Sequence, residues 1–206
     1  MFYKSGGNTC MSYNINEIFY SIQGEGTFTG VPSLFVRFAG CNKQCSFCDT
    51  PDEINQVLEE NALIDLMTEQ IDLFEVENIV LTGGEPLLQS IEPIVVFLAD
   101  EGLTCHIETN GSINVSREVA DLCYLTVSPK DKDFVQREGH QLKLIYTGEP
   151  VDFNYYYDNT SFEYYILQPE WSGGLELAKK AIDMVMKERY GYWRFGAQVH
   201  KLIGVK

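Results

Sequence analysis

The 206-residue sequence has no apolar run long enough to cross a bilayer, and no signal-peptide pattern opens it. A membrane protein and a secreted one are both set aside, and a cytoplasmic location is expected. No cluster of Lys or Arg appears either: 15 basic residues stand against 30 acidic ones, for a net charge of −15. A basic patch is the electrostatic footprint of a nucleic-acid partner, so no direct nucleic-acid binding is expected. Internal repeats, low-complexity segments and long linkers are missing, and the length suits one domain with a real core. Histidine is scarce, with only His106, His140 and His200. Cysteine is not scarce, yet its six positions do not space out as an extracellular disulfide framework. Cys10, Cys105 and Cys123 are scattered and read as buried or incidental thiols.

What is there is concentrated. Cys41, Cys45 and Cys48 fall within eight residues in the run GCNKQCSFCDT. A structural zinc asks for four protein ligands, usually as two separated pairs. A [4Fe–4S] cluster takes one cysteine per iron, so three cysteines leave one iron open to chemistry. On spacing alone, a zinc knuckle completed by Asp49, a histidine or a remote cysteine stays in play.

Short apolar or β-branched runs predict strands at 33–38, 78–82, 104–108, 124–127, 141–146 and 164–167, with a last run over 193–199. They are near-continuously apolar, as strands buried in a parallel sheet are. Helical periodicity covers about 55–74, 89–100 and 175–190, with Gly102 and Gly191 as stop signals. The Tyr-rich stretch over 149–163 shows no helical period. Alternating strands and helices predict an α/β fold. About six core parallel strands with only about three helices fall short of a complete TIM barrel, so an open, partial barrel is expected. Residues 1–10 read as a polar extension or a remnant of expression, leaving 11–206 as a single domain.

Functional groups gather at the carboxyl ends of parallel strands. The cysteine loop follows the first predicted strand and Thr82-Gly83-Gly84-Glu85-Pro86 the second. Glu108-Thr109-Asn110-Gly111 follows the third, Ser128-Pro129-Lys130 the fourth, and Gln168-Pro169-Glu170-Trp171 the sixth. Five polar clusters at successive strand ends describe one rim. Gly83-Gly84 makes a tight turn or lets a ligand reach backbone groups. Lys130 is a solvated lysine or a fixed positive charge. Arg37, inside the apolar run FVRF, needs a partner, either an internal carboxylate or the carboxylate of a ligand.

The C-x3-C-x2-C loop after one strand and GGEP after the next resemble the radical S-adenosylmethionine (SAM) enzymes. IFYSIQGEG over 18–26, FVRFAGCNKQCSFCDT over 35–50 and the ending QVHKLIGVK together resemble the 7-carboxy-7-deazaguanine synthase family, over nearly all of 12–206. That resemblance implies a [4Fe–4S] cluster on Cys41, Cys45 and Cys48, with SAM and magnesium as further cofactors. It implies SAM contacts at Phe47, Asp49, Gly84, Ser128, Pro129, Lys130, Gln168, Pro169, Glu170 and Trp171. Thr50 occupies the position of a magnesium ligand. Substrate contacts are implied at Ile22, Gln23, Gly24, Glu25, Arg37, Thr82, His200 and Lys206, with Arg37 on the substrate carboxylate and the carboxylate of Lys206 lining the site. The implied reaction is ring contraction of 6-carboxy-5,6,7,8-tetrahydropterin with loss of ammonia, in queuosine and 7-deazapurine biosynthesis. A flavodoxin or ferredoxin electron donor and a homodimer are further implications. The chain departs from the family pattern where Phe195-Gly196-Ala197 precede Gln198 and Val199 replaces a threonine. Two other readings compete: a glycyl-radical-enzyme activase, and a non-catalytic metal module. The QGEG segment and the terminal histidine motif weigh against the first, and the unexplained rim clusters weigh against the second.

Overall fold

The computed structural model describes residues 11–51, 53–188 and 191–206. The expected extension 1–10, with Cys10, lies outside the described residues, as does Tyr190 at the expected end of the third helix. The elements in chain order are β1 (Ser12–Ile22), β2 (Pro32–Phe38), β3 (Gln56–Glu59), α1 (Glu60–Phe74), β4 (Asn78–Gly83), α2 (Glu92–Asp100), β5 (Thr104–Thr109) and α3 (Arg117–Ala120). They continue with β6 (Cys123–Val127), β7 (Glu138–Tyr146), α4 (Phe153–Asn159), β8 (Ser161–Pro169), α5 (Gly174–Lys187), β9 (Trp193–Phe195) and α6 (Val199–Ile203).

The nine strands among the described residues form one sheet in the order β3-β1-β2-β4-β5-β6-β7-β8-β9. From β2 to β9 every neighbouring pair is parallel. Only β1 against β2 and β3 against β1 run antiparallel. The fold is therefore α/β with a mostly parallel sheet. The apolar runs form strands because they are buried: Ile79, Val80 and Leu81 of β4 are all enclosed. Successive side chains of a strand point to opposite faces. In β5, Cys105 and Ile107 join the apolar core, while His106 and Glu108 face the other way. Helices α1, α2, α3 and α5 cover the apolar face against β1, β5, β6 and β8.

Three expectations need correction. Helix α1 starts at Glu60 instead of near Asn55, because 56–59 pairs with β1 as an edge strand, Ile15 opposite Gln56 and Ser12 opposite Glu59. Sheet pairing outcompetes helical periodicity there. The Tyr-rich stretch does contain a helix, α4, whose N-terminus is capped by Asp152 Oδ1 accepting from Tyr155 N at 3.1 Å. Its Phe153 and Tyr156 rings pack on Trp193, so aromatic packing replaces a regular apolar stripe. The last run is strand only to Phe195, and α6 then begins at Val199.

Beyond β1 the chain turns under the sheet's polar face. A 3-10 turn at Gly26–Phe28 places Phe28 edge-on to His106, 4.1 Å between centroids, and against Tyr124 at 4.8 Å. Thr27 N donates to Gln141 Oε1 at 3.0 Å. His106 and His140 belong to this floor: His106 lies 3.3 Å from Asn78 Oδ1, and His140 Nδ1 accepts from Leu125 N at 3.0 Å.

Candidate active site

The register sets the rim level. Phe38 pairs with Gly83, Thr109 with Val127, and Tyr146 with Pro169, so the segments after these strands leave the sheet side by side. They surround one cavity of about 510 Å³. Every site residue singled out in the sequence lines it except Pro129, which is buried between two that do, Ser128 and Lys130.

At the mouth lies the cysteine loop. Cys48 N donates to Cys45 O at 3.1 Å and Lys43 N to Cys41 Sγ at 3.4 Å, and all three cysteines line the cavity. Gly83 and Gly84 lack side chains for a packing reason. A Cβ on Gly84 would lie 2.1 Å from Gly40 O, and one on Gly83, whose φ is +142°, 2.1 Å from Phe38 O. The double glycine thus brings the end of β4 against the start of the cysteine loop. The next residue, Glu85, is fully buried. It accepts from Thr109 Oγ1 at 2.8 Å, Asn110 N at 2.6 Å and Leu87 N at 3.1 Å. Burial pushes the Glu85 carboxyl above the usual range despite these donors. Asn110 Nδ2 then reaches Asn42 Oδ1 at 2.9 Å, tying the end of β5 to the cysteine loop.

Along one wall, Lys130 Nζ donates to Ser128 Oγ at 3.1 Å and stands 5.8 Å from the Phe47 ring. Burial, aided by Lys143, lowers the Lys130 pKa. Gln168 is buried and its Oε1 has no partner among the described residues. Glu170 caps the 3-10 turn at Trp171–Gly173 through Ser172, and Trp171 is exposed at the rim.

The deep end is built on a buried lysine. Lys143 Nζ meets Glu25 Oε2 at 2.5 Å and Glu108 Oε2 at 2.8 Å. Burial opposes the charge on Glu25, but Lys143 and Gln198 outweigh it and hold the carboxyl down to about 2. For Glu108, burial prevails, and with the Glu25 charge it raises the pKa. Lys143 resists its own burial because two carboxylates face it, and its pKa is raised. Gln23 is buried, its Nε2 3.4 Å from Glu108 Oε1 and its Oε1 accepting from Glu25 N at 3.2 Å.

Gly24 and His200 fit as a pair. A Cβ on Gly24 would fall 1.9 Å from His200 Nδ1, and Val199 N donates to Gly24 O at 2.8 Å. His200 Nδ1 is buried without a partner among the described residues, and burial lowers its pKa. Arg37 is half-buried and already holds an internal partner: Nε donates to Glu17 Oε1 at 2.9 Å. Thr82 is its register neighbour on β4. Lys206 pairs with Glu17 through its ammonium, and its backbone oxygen accepts from Ser21 Oγ at 2.5 Å. Thr50 Oγ1 lies 3.4 Å from Asp49 Oδ1, and Asp49 is held by Lys201 and by Gln198 Nε2 at 3.3 Å.

Sequence reading missed Glu108, Lys143, Gln198 and Lys201 as site residues. Lys143 had a signal: it interrupts the apolar run QLKLIY just as Arg37 interrupts FVRF. Glu108 stood in a rim cluster without being singled out. Gln198 and Lys201 lay inside the terminal motif, overshadowed by the histidine.

The Radical SAM superfamily profile matches residues 35–125. A 7-carboxy-7-deazaguanine synthase from Bacteroides thetaiotaomicron is 35% identical over 198 residues, covering 95% of this chain and 100% of the relative. Its counterpart from Burkholderia multivorans is 35% identical over 217 residues, with 95% and 100% coverage. The one from Aquifex aeolicus is 34% identical over 213 residues, with 93% and 94%. Among solved structures, QueE from Escherichia coli superposes with a TM-score of 0.72 at 24% identity, covering 92% of this chain and 95% of that one. Streptococcus suis SuiB bound to S-adenosylmethionine gives 0.52 at 12% identity, with 76% and 44% coverage. Both structural likenesses concern the fold alone.

Proposed function

The chain belongs to the 7-carboxy-7-deazaguanine synthase family of radical SAM enzymes, and we propose that the single cavity at the strand ends is where it contracts 6-carboxy-5,6,7,8-tetrahydropterin to 7-carboxy-7-deazaguanine. The nine-stranded sheet is read as the partial barrel of this superfamily, residues 11–206 forming one domain. One observation carries the assignment: the three-cysteine loop and a deep, charged floor open into the same cavity.

The donor set fits the cofactors. Cys41, Cys45 and Cys48 line one cavity, and a [4Fe–4S] cluster takes one thiolate per iron, leaving the fourth iron open. Gln168 Oε1 and His200 Nδ1 are buried polar atoms without partners that line the same cavity, as expected of groups that await a ligand.

When bound, the [4Fe–4S] cluster and SAM would supply the one-electron radical chemistry that side chains alone cannot provide. Cys41, Cys45 and Cys48 hold the cluster, and Thr50 contributes a ligand to magnesium. Phe47, Asp49, Gly84, Ser128 to Lys130 and Gln168 to Trp171 form the SAM wall. Arg37, its Nε fixed by Glu17, presents its remaining donors to the substrate carboxylate. The backbone of Ile22 to Glu25, with Thr82, Glu108, His200 and Lys206, reads the polar edges of the pterin. Lys143 keeps Glu25 ionised beside Glu108, whose raised pKa suits it to share a proton with a ring nitrogen. Electrons come from a flavodoxin or ferredoxin, and the working unit is a homodimer. Among the described residues no helix is long and apolar enough to cross a membrane, and the setting is cytoplasmic.

Anaerobic incubation of cluster-loaded protein with SAM, magnesium, reductant and 6-carboxytetrahydropterin tests the assignment by mass spectrometry. It expects 7-carboxy-7-deazaguanine, abolished in Cys45→Ala. Cleavage of SAM without that product would overturn the substrate, and no cleavage by protein with an intact cluster would overturn the radical chemistry.

A further inference from the structure

Asp49 sits between the third cysteine, Cys48, and Thr50, and its exposed carboxylate is paired. Lys201 Nζ pairs with Asp49 Oδ2, and Gln198 Nε2 donates to the same oxygen at 3.3 Å. The same Gln198 nitrogen donates to Glu25 Oε1 at 2.7 Å, on the floor of the cavity. Lys201 Nζ also stands 5.7 Å from the centroid of the Trp171 ring, on the opposite wall. Both side chains come from the start of α6, which is anchored independently by Val199 N on Gly24 O. Two residues three apart on a short helix therefore reach the cysteine loop, the floor and the wall at once.

The cysteine loop has few other restraints past Cys45. Among the described residues its backbone makes no regular element between Ala39 and Asn55, and Cys48 and Asp49 are exposed. A loop so poorly tied opens readily unless long-range contacts hold it. We propose that Gln198 and Lys201 are positioning residues for the cysteine loop: through Asp49 they fix Cys48 and Thr50 relative to the floor and to Trp171. The inference rests on the synthase reading only in taking the loop to carry a [4Fe–4S] cluster. It adds a role for two residues near the end of the chain that act through Asp49.

The test uses the full chain, anaerobic and cluster-loaded, as wild type, Lys201→Met, Lys201→Arg and Asp49→Asn. Iron release to a ferrous chelator and hydrogen exchange across 45–51 are followed without substrate. Lys201→Met is expected to release iron about three- to fivefold faster, the scale of one partly exposed ion pair, with matching faster exchange. Lys201→Arg should restore both to within about twofold, since a guanidinium keeps the charge. Asp49→Asn combined with Lys201→Met should be no worse than either alone, because both break one contact. Wild-type rates in Lys201→Met would overturn the proposal. So would a Lys201→Arg variant as impaired as Lys201→Met, which would mark the segment as merely structural. A failed synthase assignment looks different: the wild type would turn over no pterin while Lys201→Met still sped iron release.

Discussion

Replacing Lys143 by Met removes the one cation shared by two buried carboxylates and keeps most of the side-chain volume. Glu25 and Glu108 are each about one-sixth exposed, Lys143 less than half that. Glu25 lies at about 2 against an ordinary 4.5, a difference worth about 3 kcal/mol of native-state stabilisation. Breaking a buried ion pair from one side costs about 3–5 kcal/mol, because the partner charge stays behind unpaired. The expected loss at about pH 8 is in that range. Its pH dependence has a definite sign. In the wild type the depressed Glu25 carboxyl stabilises above about pH 4.5, and that contribution fades only as the pH falls toward 2. Without Lys143 the two carboxyls repel each other and their folded pKa values rise above the unfolded ones. Such groups cost stability at high pH and return it as they take up protons. The gap between wild type and variant should therefore be widest near neutrality and narrow steadily toward about pH 5.5. Urea unfolding of anaerobic, cluster-loaded protein across that range measures it. Adding Glu25→Gln to Lys143→Met should recover part of the loss. A gap that stays constant with pH, or a double variant no better than the single, would mean that the lysine stem matters by packing and that the charge argument is wrong.

Gly24→Ala places a methyl where His200 already is, and overpacking of this kind costs about 1–3 kcal/mol. Thermal unfolding should show the loss and kcat/KM for the pterin should fall, while a second change, His200→Ala, should restore stability but not turnover. Glu85→Ala strands the Asn110 N–H and the Thr109 hydroxyl in a buried site, so a loss of about 3 kcal/mol in urea unfolding is expected, with faster iron loss as Asn110 releases Asn42. Thr50→Val keeps the shape and removes the hydroxyl. It should raise the magnesium concentration for half-maximal activity about tenfold, with stability changed by less than about 0.5 kcal/mol.

The parts of the fold legible in sequence were those set by short-range pattern. Each of the buried parallel strands announced itself because burial on both faces demands an unbroken apolar run, as in β4. The rim followed from topology alone, since parallel strands deliver their following segments to one end. What stayed hidden depended on partners distant in sequence. Strand β1 carries a register shift between Ile15 and Glu17, which spoils its alternation. Strand β3 exists only because β1 offers it an edge. Helix α4 is held by Trp193, some forty residues on. The same divide runs through the site. Cysteine spacing is local and speaks for itself, and Arg37 stood out as a charge in an apolar run. The double glycine was legible as a feature but not as a reason: the close neighbours are Phe38 and Gly40, at the end of the adjacent strand β2.

Charge shows why bulk composition misleads about the site. The chain carries −15 overall, yet six of its 15 Lys and Arg residues line the cavity at the strand ends: Arg37, Lys43, Lys130, Lys143, Lys201 and Lys206. Four carboxylate residues face them there, Glu25, Asp49, Glu108 and Glu170. Glu17 pairs with Arg37 and Lys206, and Asp131 with Lys43, so positive charge is gathered there largely in pairs, inside a molecule that is acidic overall. Low-dielectric walls focus such a field. The ligands of the proposed reaction each bring a carboxylate, and the cavity is where the chain can offer positive charge to it. An acidic surface would repel a polyanion while this recess still attracts a small acid. The −15 therefore argues about what stays out, and Arg37, Lys130 and Lys143 about what comes in.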